Sequence, residues 1–120
     1  MPRSSLAFTR EPIDVDAIAS AISTVLTPEE LATTPIELRP LDDGAALQVT
    51  FLDSVVLTVL RPRLVPSAAE SRRVFGDVSA SEGAVWYAEA YTPWAAEAVI
   101  GQRLLEAAAA SRGGNVTHQG

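Results

Sequence analysis

Hydrophobic and polar positions alternate with period two through residues 46–52 and again through 55–61, with only Asp53 and Ser54 between the two runs. Leu47, Val49 and Phe51 share one side of the first run; Val55, Leu57 and Val59 share one side of the second. Side chains of a strand point alternately to opposite faces, so this pattern predicts an antiparallel hairpin with one buried face. A three-residue turn at Leu52, Asp53 and Ser54 sets Phe51 opposite Val55, Val49 opposite Leu57 and Leu47 opposite Val59.

The pattern changes period on either side. Val15, Ile18, Ile22, Val25 and Leu26 recur at helical spacing after Asp14, an N-cap residue, and predict an amphipathic helix over 15–26. Thr27, Pro28, Glu29 and Glu30 form a second helix start, with Thr as cap and Pro at the first helical position; a short helix through about Ala32 follows. Residues 36–41 alternate again and read as a strand, placed at an edge because Pro40 has no N–H to donate. Asp42, Asp43 and Gly44 read as the turn that follows it. Residues 66–76 carry two signals. Ser67 and Glu70 have capping-box spacing, whereas 72–76 read as a strand. Residues 84–91 alternate with aromatic content, which places Val85, Tyr87, Glu89 and Tyr91 on one face and Trp86, Ala88 and Ala90 on the other. Thr92 and Pro93 open a long helix over about 93–111, stopped by Gly113 and Gly114.

These elements predict an α+β two-layer sandwich: an antiparallel sheet of four to five strands, covered on one face by an N-terminal and a C-terminal helix. Residues 1–11 read as a loose polar leader, 1–112 as a single domain and 113–120 as a disordered tail. No residue motif marks a family. The element order, read as helix, three strands, short helix, strand and long helix, is similar to that of small bacterial secretion-chaperone-like folds. That resemblance implies a dimeric module that binds another protein.

Composition narrows the chemistry. A net charge of −6 argues against nucleic acid, whose binding needs a basic surface. The chain has no Cys, which excludes disulfides, thiol nucleophiles and thiolate metal sites. All nine basic residues are Arg, which with the many alanines reads as the codon usage of a GC-rich bacterial genome. No stretch reaches the ~20 apolar residues of a membrane helix, and the first residues do not form a secretory signal, so a cytoplasmic location is expected. The one His, His118, falls in the expected tail, which sets histidine catalysis aside.

Three sets of residues stand out. Glu89 between Tyr87 and Tyr91 is a candidate ligand site, in a cavity expected between the sheet and the C-terminal helix. Arg61, Arg63, Arg72 and Arg73 are a candidate anion site. Trp94, on the first turn of the long helix, is a candidate interface residue. No catalytic residue, metal site or cofactor is expected. The expected function is a non-enzymatic protein-interaction module that forms a homodimer; the alternative is a small-ligand-binding or enzymatic domain.

Overall fold

The structure is a computed structural model and describes residues 3–65, 85–93 and 98–119. Its elements are β1 (Arg3–Thr9), α1 (Val15–Val25), α2 (Pro28–Thr33), β2 (Ile36–Leu41), a 3-10 turn (Asp42–Gly44), β3 (Ala46–Phe51), β4 (Ser54–Leu60), β5 (Arg63–Leu64), β6 (Trp86–Thr92), α3 (Ala98–Ser111) and β7 (Asn115–Gln119). The strands form one sheet of seven in the order β2-β3-β4-β6-β1-β7, with β5 also paired to β6. Every described pairing is antiparallel. The α+β class stands, but the sheet is larger than four to five strands.

The extra strands come chiefly from the chain ends. β1 lies between β6 and β7 and is buried from Ser5 to Thr9. The leader is therefore a central strand, whose Leu6 and Phe8 alternate with Ser5 and Ala7. The segment expected to be a disordered tail contains β7, paired to β1 from Ser4↔Gln119 to Phe8↔Asn115. Gly113 and Gly114 stop α3, but they also aim the chain back. Gly113 adopts φ +74, and the Gly113 and Gly114 N–H groups donate to the carbonyls of Ala110 and Ala109, a Schellman turn. A Cβ on Gly114 would sit 1.8 Å from the Phe8 carbonyl oxygen, so only glycine lets the two backbones approach this closely. The observed order thus begins and ends on strands, unlike the order that suggested the secretion-chaperone resemblance.

The central hairpin forms with one change of register. Leu47 faces Val59 and Val49 faces Leu57 as expected, but Thr50 faces Val55 and Phe51 faces Ser54. The turn has two residues, Leu52 and Asp53, both at positive φ (52° and 65°), a type I′ geometry. A β-bulge absorbs the shift and turns Val56 and Leu57 both toward the core. Val56 is fully buried while Val55 is 39% exposed, so Val56 takes the core place expected for Val55.

α3 crosses β4, β6, β1 and β7 and packs against α1. Contact is closest at Gly101: a Cβ there would stand 2.0 Å from the Val56 carbonyl oxygen at the bulge. Ala88 and Ala90 face this layer, as the small-residue side of β6 should. Asp14 caps α1 by accepting the Ala17 N–H at 2.9 Å. Thr27 and Glu30 close a reciprocal capping box on α2. α2 nonetheless buries no residue. The alternatives for 66–76, and with them Arg72 and Arg73, lie outside the described residues, as does Trp94.

Candidate functional site

The β4–β6 ladder breaks where Pro62 enters it. Thr58 and Val59 pair with Tyr91 and Ala90, and Arg63 and Leu64 pair with Tyr87 and Trp86. Three residues, Leu60, Arg61 and Pro62, thus span the gap that Ala88 and Glu89 span on the opposite strand. Pro cannot donate to a ladder, and the extra residue bows the chain. The bow opens a groove of about 280 Å³ on the face opposite the described helices α1 and α3, lined by Ala45, Leu60, Arg61, Arg63, Tyr87 and Glu89. The two sequence candidates, one from the aromatic strand and one from the arginines, therefore share a single groove. It lies on the opposite side of the sheet from the cavity expected beneath the long helix.

Each side chain is held differently. The Arg61 guanidinium spans back to the 3-10 turn: its Nε donates to the Gly44 carbonyl at 3.4 Å and its Nη2 to the Asp43 carbonyl at 3.2 Å. These two bonds use two of the five donors of Arg and leave the rest for a ligand. Neither Arg61 nor Arg63 forms an ion pair among the described residues. Tyr87 is buried against Leu6 and Phe8, a small second core on this face with Val65 at its margin. Glu89 is exposed, and its carboxylate accepts the Tyr91 hydroxyl at 3.4 Å. Tyr91 orients Glu89 from beside the groove rather than lining it. The groove thus offers two cationic donors and one acceptor on an aromatic wall, a set suited to holding a carboxylate beside a donor group.

A second constellation was not legible in the sequence. His118 Nδ1 and Ser5 Oγ are 2.8 Å apart, and His118 Nε2 lies 2.8 Å from Glu106 Oε1. An ionised carboxylate only accepts, so Nε2 donates to Glu106, while Nδ1 shares a hydrogen bond with the Ser5 hydroxyl. The distances resemble those of a nucleophilic triad, but Ser5 is only 2% exposed in the middle of the sheet, where no substrate carbonyl reaches it. The chain of bonds ties β7 to β1 and α3. The signal that could have found it was the Leu6/Phe8 alternation, which makes residues 3–9 a strand in need of a partner.

The closure between the chain halves is also electrostatic. Arg112 Nη2 bonds Asp14 Oδ1 at 2.8 Å, and the Arg112 carbonyl accepts the Arg10 and Glu11 N–H groups. The hydrogen bond from Arg112, helped by the Ala17 N–H, holds the Asp14 carboxyl below the usual carboxylate range. Among the described residues no group of three or more His, Asp or Glu converges as a metal site, and no helix is long and apolar enough to cross a membrane. Comparison with protein-family models, with curated proteins and with solved structures found no match for the chain.

Proposed function

We propose that this chain is a non-catalytic interaction module of a bacterial cytoplasm, chaperone-like in action, which holds a segment of another protein in the groove at Arg61, Arg63, Tyr87 and Glu89. The observation that carries the reading is the meeting of Arg61 and Arg63, without ion pairs among the described residues, with Tyr87 and Glu89 in an open trough. A trough along a strand suits an extended segment, with an acidic side chain between the arginines and a donor on Glu89. Its volume of about 280 Å³ is at the low edge of the roughly 300–1,000 Å³ typical of small-molecule sites. That favours a protein segment over the alternative, a small zwitterionic ligand bound in the same groove.

The test uses a capped tetraglutamate peptide, with capped tetralysine as control, followed by NMR of the labelled protein. The tetraglutamate peptide should shift the Arg63, Tyr87 and Glu89 resonances. Arg61→Gln with Arg63→Gln should weaken binding by about tenfold or more, the equivalent of losing a charge-assisted bond. Shifts elsewhere, or an unchanged affinity in the double variant, would remove the groove from the reading. The homodimer belongs to the same proposal and draws on the two sheet edges, β2 and β7. Sedimentation at micromolar concentration checks it; a monomer of 12.7 kDa rejects the dimer.

A further inference from the structure

Among the described strands the sheet ends at β2, and the bonds around it say which backbone groups face outward. The Leu52 N–H donates to the Pro35 carbonyl, and the Arg61 N–H donates to the Ala45 carbonyl. Hydrogen-bonded pairs recur at every second residue of an antiparallel ladder. Ile36 lies opposite Phe51 and Leu41 opposite Ala46. Glu37, Arg39 and Leu41 therefore turn their N–H and C=O groups to β3, while Ile36, Leu38 and Pro40 turn theirs to the open edge. Pro40, which has no N–H, sits where β3 needs none from it. The side chains divide the same way. Ile36 and Leu38 pack half-buried against the core on the helix side. Glu37 and Arg39 are exposed on the other face, where Arg39 Nε donates to Glu37 Oε2 at 2.8 Å. The edge thus carries one acid and one base, placed evenly about Leu38.

A strand with this pattern is its own complement. Consider a second copy of β2 paired antiparallel across a two-fold axis, outward groups against outward groups. Centred on Glu37, the two Glu37 carboxylates meet. Centred on Arg39, the two guanidinium groups meet. Like charges directly opposite in a ladder repel. Centred on Leu38, each Glu37 instead lies opposite the partner's Arg39, at a non-hydrogen-bonded pair where side chains come closest. The two Leu38 residues then exchange both backbone bonds, and each Ile36 N–H donates to the partner's Pro40 carbonyl. The Ile36 carbonyl, at the end of this ladder, stays with water. On the helix side Leu38 meets its counterpart and Ile36 meets the partner's Pro40, which covers apolar surface that one copy leaves half-buried.

We infer that two copies of this chain join at β2, antiparallel and centred on Leu38, into one continuous sheet. The inference rests on the homodimer proposed above and adds to it the edge and the register. The other edge, β7, carries no carboxylate to pair with a base. A two-fold axis between antiparallel neighbours stands normal to the sheet, so both helix layers stay on one side. The two grooves then open together on the other side.

The first measurement is sedimentation of the full chain at ~0.15 M salt, which screens the net charge of −6 on each copy. Glu37→Arg alone, or Arg39→Glu alone, sets like charges across the axis and should raise the dimer dissociation constant by about tenfold or more. Both changes together restore opposite charges and should return it to within about threefold of the original. Both side chains are exposed, so circular dichroism should not change. The chain has no Cys, so introduced thiols report the register. Glu37→Cys protein mixed with Arg39→Cys protein should form a disulfide-linked pair on mild oxidation, and neither should do so alone. A dimer that ignores charge reversal, is not restored by the exchanged pair, or crosslinks through Glu37→Cys alone keeps the homodimer and overturns this interface. A 12.7 kDa monomer overturns both.

Discussion

The two flanks of the sheet are built on different principles. On the α3 side, backbones touch: Gly101 rests on the Val56 carbonyl and Gly114 on the Phe8 carbonyl. Ala88, Ala90, Ala108 and Ala109 let helix and sheet approach, and nearly every inward side chain is buried. On the β2–β3 side the units are local: a capping box, an edge strand, a 3-10 turn and a two-residue hairpin turn. Apart from the buried Val49, its inward side chains Ile36, Leu38, Leu47 and Phe51 stay half-buried. Stability should therefore reside with α3, while the β2–β3 flank is the less tightly packed of the two. Close packing of this kind tolerates neither lost nor added volume.

The largest expected effect tests that division with equal chemistry on both sides. Leu57→Ala empties a fully buried site and should cost ~2–5 kcal/mol. Leu38→Ala, half-buried at the edge, should cost about 1 kcal/mol or less. Urea unfolding measures both, and equal losses would erase the distinction between the flanks. Gly101→Ala approaches the same boundary by adding volume. Ala favours a helix by ~1 kcal/mol over Gly, yet its Cβ meets a backbone oxygen that cannot step aside. A net loss of about 3 kcal/mol is expected, and a stabilised variant would show that α3 can lift from the bulge without cost.

Much of the loose flank was legible in the sequence, because its signals are local. Asp14, Thr27 with Glu30, Pro40 and the Leu47/Val49 alternation each act within a few residues. The tight flank was not. β1 and β7 stand 113 residues apart at the Ser5–His118 bond; β1 finds its partners in the distant β6 and β7, and β7 pairs with β1. Polar Asn115, Thr117 and His118 look like a tail until β1 offers them a ladder. The groove was half legible: Tyr87, Glu89, Arg61 and Arg63 stood out, but only the Pro62 break brings them together. The register slip in the hairpin had no signal in the apolar pattern, since Val55 and Val56 are alike and the turn decides which one goes inside.

Truncation after Arg112 separates these two kinds of order. A dispensable tail would leave unfolding unchanged. Removing β7 instead takes away Val116, the ladder to β1 and the His118 clasp, and about 2 kcal/mol is expected. For a chain of this size that is a fall of roughly 10 °C in Tm.

A smaller effect reports on the seam between α1 and the end of α3. Asp14→Ala removes a helix cap and should cost about 1 kcal/mol. The pH dependence follows from the lowered Asp14 carboxyl. Its contribution is complete above its ordinary titration range near pH 4 and is lost as the pH falls through the lower folded value. Asp14→Asn should flatten this part of the acid-unfolding profile. An unchanged profile would mean that Arg112 and Asp14 do not hold each other in solution.

The smallest effect should be a gain, and it lies on the loose flank. Leu52 and Asp53 both sit at positive φ, where a Cβ crowds the backbone and Leu is poorly suited. Leu52 is also 61% exposed, so it gives the core little in return. Asn-Gly is the preferred pair for a type I′ turn. Leu52→Asn with Asp53→Gly should therefore stabilise the chain by about 0.5–1 kcal/mol, the scale of relieving backbone strain less the added chain entropy of Gly. The same gain should not follow from Asp53→Pro, because the pyrrolidine ring fixes φ near −65°. If Asn-Gly instead destabilises the protein, the hairpin has the three-residue turn that the apolar pattern suggested. Val55 then returns to the buried face, and the bulge that turns Val56 toward Gly101 disappears with it.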